Sequence, residues 1–105
     1  MKLKMYRQGD ILIEEIAALP KGLTKQKPEN GRIILARGEV TGHHHSLTAD
    51  AADWWKNDSG DQYLTVTEPS PVEHQEHGVI PLEQKHYRII RQREYAPEAI
   101  RNVMD

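Results

Sequence analysis

Turn-forming residues interrupt this chain so often that no long helix can run through it. Gly9, Pro20 with Gly22, Asn30-Gly31, Ser59-Gly60, and Pro69 with Pro71 recur at close intervals. Each breaks regular structure for a known reason, since glycine frees φ while proline fixes it and removes a hydrogen-bond donor. The stretches between them read as strands. Lys2 to Tyr6 alternates lysine with apolar residues, Ile11-Leu12-Ile13 resumes after the Gln8-Gly9-Asp10 turn, and Arg32 to Ala36 is apolar on both faces. Asn30-Gly31 predicts positive φ and a tight hairpin. Trp54 and Trp55 face opposite ways if extended, so one belongs to the core, and Tyr63 to Thr67 is rich in β-formers. From His86 to Tyr95, alternation puts Tyr87, Ile89, Arg91, Arg93 and Tyr95 on one face and Arg88, Ile90, Gln92 and Glu94 on the other. A single helix is predicted, Ala96 to Met104, opened by Pro97 and Glu98. About seven short strands and one helix predict an all-β fold, a barrel or a sandwich with the C-terminal helix packed on it.

A length of 105 residues predicts one domain, 1–105, with one modest core. The absence of cysteine excludes disulfides and thiolate zinc sites. No apolar run approaches the length of a membrane span, and the start MKLKMYRQGD has no hydrophobic signal core, so no membrane partner and a cytoplasmic location are expected. A formal net charge of −2 provides no global basic footprint for nucleic acid.

The chemistry concentrates in histidine. Three of the six histidines stand together in GEVTGHHHSL, and two more, His74 and His77, in PVEHQEHGVI. On a strand, His43 and His45 point one way and His44 the other, so two imidazoles on one face form half of a metal site. A divalent ion takes three or four donors at about 2.0–2.1 Å, which two such pairs can supply. His74 and His77, three apart, suit a turn or bulged strand. Glu76 between them is the candidate fourth ligand, orienting carboxylate or general base. Imidazoles without thiolates suit zinc, nickel, iron or copper alike. The plainer alternatives are a solvated loop for the triplet, or histidines held in the fold without an ion.

Three motifs in order, YRQGDILI, GEVTGHHHSL and HQEHGVIPLEQKHYRIIRQREY followed by a proline, resemble a family of small uncharacterised bacterial proteins carrying YRQGD, GEVTGH-x-H, H-x-E-H-G and Y-R-x-x-RQREY. The likeness runs from Tyr6 to Pro97. It implies that His43 and His45 fill the H-x-H positions, that His74, Glu76 and His77 fill H-x-E-H, and that His44 stands at the variable position; it implies no activity. A looser likeness is to cupins, small β-barrels in which an H-x-H pair, a following glutamate and a later histidine hold a metal. This chain departs from that pattern at Leu47-Thr48-Ala49-Asp50, where the glutamate would stand, and in its H-x-x-H second pair.

Two readings without metal chemistry compete. Arg88, Arg91 and Arg93, interleaved with Tyr87 and Tyr95, form a basic and aromatic strand suited to a small anionic ligand, with pairing to Glu94 and other acids as the structural alternative. An exposed sheet edge, or Trp54 and Trp55, could instead dock a partner or a second copy in a homo-oligomer.

Overall fold

The computed structural model describes residues 3–37, 44–75 and 77–91. His43, Glu76, Arg93 and the helix expected over 96–104 lie outside the described residues. Within them the regular structure is almost entirely strand: β1 (Met5–Gln8), β2 (Ile11–Ile16), β3 (Thr24–Lys25), β4 (Arg32–Arg37), β5 (His44–Thr48), β6 (Ala52–Lys56), β7 (Gln62–Val66), β8 (Ser70–Val72), β9 (Ile80–Leu82) and β10 (His86–Arg91), with one short 3₁₀ turn at Ala49–Ala51.

Six strands form one antiparallel sheet in the order β1-β2-β10-β7-β6-β3. The remaining four form two hairpins, β4-β5 and β8-β9. A single bridge joins the hairpins, the Ser46 and Glu73 backbones exchanging hydrogen bonds of 3.0 and 2.8 Å. Residues from both groups of strands make one core. Ile11, Ile13, Leu47, Leu64 and Val72 are fully buried, and Ile33, Leu82, Tyr87 and Ile89 pack with them. Each such aliphatic side chain contributes about 1.5–3 kcal/mol by leaving water.

Turn chemistry explains the connections. Asn30 and Gly31 both have positive φ, 49° and 77°, and Glu29 and Arg32 close the two-residue hairpin with reciprocal 2.8 Å bonds. Between β1 and β2 the turn is Gly9-Asp10, with Gln8 paired to Ile11 and Gly9 at φ +58°. Trp54 is the buried tryptophan, while Trp55 is half-buried beneath Lys25.

The sheets do not close into a barrel, so of the two architectures expected the barrel is corrected, and with it the cupin-like topology finds no support. The end strands explain why. β3 offers only two ladder positions, and β8 and β9 carry Pro71 and Pro81, opposite each other on the exposed face and without N–H groups to extend a ladder. Among the described residues, no helix is long and apolar enough to cross a membrane.

Candidate metal centre

The Ser46–Glu73 bridge is what brings distant histidines together. In an antiparallel pair, the position after a hydrogen-bonded pair is a non-hydrogen-bonded one, where opposed side chains come closest. That position here is His45 against His74. Beyond it the segments are held by a side chain, the His44 N–H donating to Gln75 Oε1 at 2.9 Å. The rings of His45 and His74 lie 4.3 Å apart between centroids, His74 and His77 4.6 Å, and His45 and His77 6.2 Å with nearly parallel planes. His44, on the opposite face as the period of a strand requires, lines a shallow pocket with Arg32, Ser46, Glu73 and Gln75, which His74 also borders. The sixth histidine, His86, sits apart at the other end of the sheet, its Nδ1 on the Thr65 hydroxyl at 3.1 Å.

The floor of the cluster comes from the first turn of the chain. Gln8, 2% exposed, donates its amide hydrogens to the carbonyls of Val72 at 3.0 Å and Gly78 at 2.7 Å, one on each side of the segment bearing His74 and His77. Both donors are thereby committed, so Gln8 Oε1 is an acceptor, and His45 Nδ1 at 2.8 Å must carry the hydrogen. Gly9 fits under the rings because it has no side chain. A Cβ there would stand 2.8 Å from His77 Nε2 and 3.2 Å from His45 Cε1.

Asp10 completes the arrangement. Its Oδ1 lies 3.2 Å from His45 Nε2, and its Oδ2 accepts a 3.1 Å hydrogen bond from Arg91 Nε. Arg91 reaches it because the β10–β2 register pairs Arg91 with Ile11. Burial works to raise the Asp10 pKa, but the Arg91 hydrogen bond and charge outweigh it and hold the carboxyl below its ordinary value. Burial also depresses His45, to about 4, with His74 pushing the same way and Asp10 opposing. With Nδ1 protonated and the ring neutral, the Nε2 lone pair faces a carboxylate oxygen across 3.2 Å. Two acceptors at that distance repel unless a cation stands between them.

Among the described residues, no group of three or more His, Asp or Glu side chains has its donors gathered as a metal ion requires. What converges is three rings and one carboxylate. Of the ligands expected from sequence, His45, His74 and His77 meet, whereas His43 and Glu76 lie outside the described residues. The arginines expected to act as a set do not act alike. Arg91 turns inward to Asp10, Arg88 lies by Glu14 at 3.7 Å, and Arg93 is outside the described residues. Gln8 and Asp10 escaped the sequence reading of the site, although YRQGD had been marked as a motif; a Gln and an Asp flanking a turn glycine look like ordinary hairpin residues.

A family model described as a domain of unknown function, DUF8820, matches residues 7–92. The chain belongs to that family. The match takes in Gln8, Asp10, all three converging histidines and Arg91, so the whole described cluster falls inside the family's extent. No curated protein and no solved structure matches the chain.

Proposed function

We propose that this member of the family is a metal-binding protein, holding one divalent transition ion between His45 Nε2 and Asp10 Oδ1 with His74 and His77 as further ligands. The observation that carries the reading is the convergence of the His45, His74 and His77 rings beside Asp10, with His45 Nδ1 held by Gln8 and Nε2 3.2 Å from Asp10 Oδ1. Distances support it. Donors on adjacent corners of a tetrahedron with bonds of about 2.1 Å stand roughly 3.3 Å apart, and imidazoles sharing such an ion have ring centroids roughly 5 Å apart. The 3.2 Å separation and the three ring distances fall at or around those values.

The surroundings have the form of an outer shell. Gln8 fixes the His45 tautomer, and Arg91 holds the second Asp10 oxygen so that only Oδ1 is presented. Closure of the donors would turn the His74 and His77 rings about χ2, a broad and roughly two-fold torsion. A set of imidazoles and one carboxylate without thiolate suits zinc, nickel, iron or copper and commonly leaves one position to water, whose pKa the ion lowers. Hydrolysis is the activity such a centre supports. His43 and Glu76 retain their proposed roles as an added ligand and as the base beside that water.

The test is metal content of untagged protein, with titration of zinc and cobalt into protein stripped by chelator. About one ion per chain is expected. His45→Ala should abolish binding, and Asp10→Asn should weaken it at least about a hundredfold while the fold persists. Stoichiometry and affinity unchanged in His45→Ala and His77→Ala would reject the assignment.

A further inference from the structure

Beside the histidine cluster, and sharing Arg91 with it, the two groups of strands leave a polar cleft of about 610 Å³. Four cationic side chains line it, Arg37, Lys56, Arg88 and Arg91, against two anionic ones, Glu29 and Asp61. Its described lining residues thus carry an excess of two positive charges on a chain whose formal net charge is −2, with Asp10 and Glu14 meeting Arg91 and Arg88 from outside the lining. Its volume lies in the range of small-ligand sites. Strands supply the cations from different directions: Arg37 ends β4, Lys56 ends β6, and Arg88 and Arg91 belong to β10.

The existing partners of these cations are weak competitors. Arg37 and Glu29 pair with both side chains more than half exposed, and Arg88 meets Glu14 only at 3.7 Å. Exposed pairs of that kind contribute little, because water screens them and both side chains lose freedom to form them. Lys56 Nζ stands 5.5 Å from the Trp54 ring centroid. Arg88 Nε is buried and, among the described residues, has no hydrogen-bond partner. A guanidinium N–H left in that state destabilises the fold until an acceptor reaches it.

We infer that this cleft is a binding site for a small molecule bearing an oxyanion, a phosphate or carboxylate group, gripped by Arg88 and Arg37 with Lys56 contributing charge. The inference deepens the metal reading by naming the substrate class, and it rests on that reading only for the placement of the ligand beside a reactive ion. Arg91 is the connection: it lines the cleft and holds Asp10, so ligand and ion would act on the same guanidinium. Recognition of the oxyanion itself needs no metal.

The experiment uses metal-free full-length protein, titrated with inorganic phosphate and separately with malonate at constant ionic strength, and reads the Arg Nε–H and Trp indole N–H resonances by NMR. Saturable shifts at Arg88 and Trp54 are expected with at least one of the two anions, and Arg88→Gln should weaken binding about tenfold or more. Lys56→Met, a change at a half-buried position that leaves β10 untouched, should weaken it by a smaller factor. Saturation with phosphate alone assigns a phosphoryl ligand, and with malonate alone a carboxylate. Shifts that rise linearly with both salts as they do with chloride, or affinities identical in both variants, would overturn the proposal. Because the protein is stripped, failure here leaves the metal assignment standing, and loss of the metal site leaves this result interpretable.

Discussion

The β2–β10 ladder ends twice in the same ingredients, and only one end is unusual. At one end lie Asp10, Arg91 and His45; at the other, Glu15, Lys85 and His86. Glu15 is the more buried carboxylate, its side chain 5% exposed, and Lys85 Nζ answers it at 3.2 Å. His86 has its own hydroxyl partner. Charges and hydrogens there match one to one. At the Asp10 end the His45 ring lies against those of His74 and His77, and its Nε2 faces a carboxylate oxygen of a residue already bound to an arginine. Burial of charge alone therefore does not mark a functional site in this fold; the convergence of three imidazole rings beside a carboxylate that faces one of them does.

The largest effect that would break this contrast is expected at Gln8. Gln8→Leu keeps the volume but leaves the Val72 and Gly78 carbonyls and the His45 Nδ1–H without partners in a buried place. At about 1–3 kcal/mol for each unpaired group, the loss should be about 3 kcal/mol or more, read from denaturant midpoints of the metal-free protein. A cost below about 1 kcal/mol would mean that these groups are paired some other way and that the His45 tautomer is not fixed.

Next comes pH, which probes the same end through its proton deficit. The folded pKa of His45 is depressed to about 4 from 6.5, so above 6.5 the ring is neutral in both states and contributes no proton linkage. As pH falls from 6.5 to about 4, the unfolded chain binds a proton that the folded one refuses, and metal-free protein loses stability, by roughly 2–3 kcal/mol in total. Asp10, depressed below 3.8, adds a further loss only beneath that value. Denaturation midpoints at pH 7 and 4.5 should separate in the wild type and draw together in His45→Gln. An equal separation in both proteins would assign the linkage elsewhere.

How far the sequence foretold this arrangement follows from the range of each interaction. The Asn30-Gly31 hairpin, the Gly9 turn, the strand around Ile11 and the outward face of His44 are consequences of one or two neighbouring residues, and local pattern suffices for them. The meeting of His45 with His74 depends on a bridge between residues 46 and 73, and nothing near either residue specifies that pairing. Closure of the sheet is likewise a property of strand ends: alternation reads the same in a barrel and in open sheets, and the two-residue β3 is too short to be seen as a strand at all. Alternation did separate Arg88 from Arg91, yet their common charge suggested one set. Only the β2 register shows Arg91 committed to Asp10. Asp10 itself was hidden by its setting, since an aspartate after a turn glycine needs no function to explain it.

The smallest effect, and the sharpest control, is expected at the other end of the ladder. Glu15→Gln preserves shape and removes the charge. The amide loses the attraction of Lys85, but the fold no longer has to strip water from a carboxylate, and these terms oppose each other in a buried pair. Lys85, 41% exposed, can turn its ammonium to solvent, so no unpaired charge is left inside. The net change should stay within about 1 kcal/mol, and zinc or cobalt titration should be indistinguishable from wild type, unlike Asp10→Asn, where affinity falls with little change in fold. If Glu15→Gln instead costs as much as Gln8→Leu, or alters metal binding, the two ends are coupled through β2 and β10, and the His45–Asp10 contact is no longer what sets that end apart.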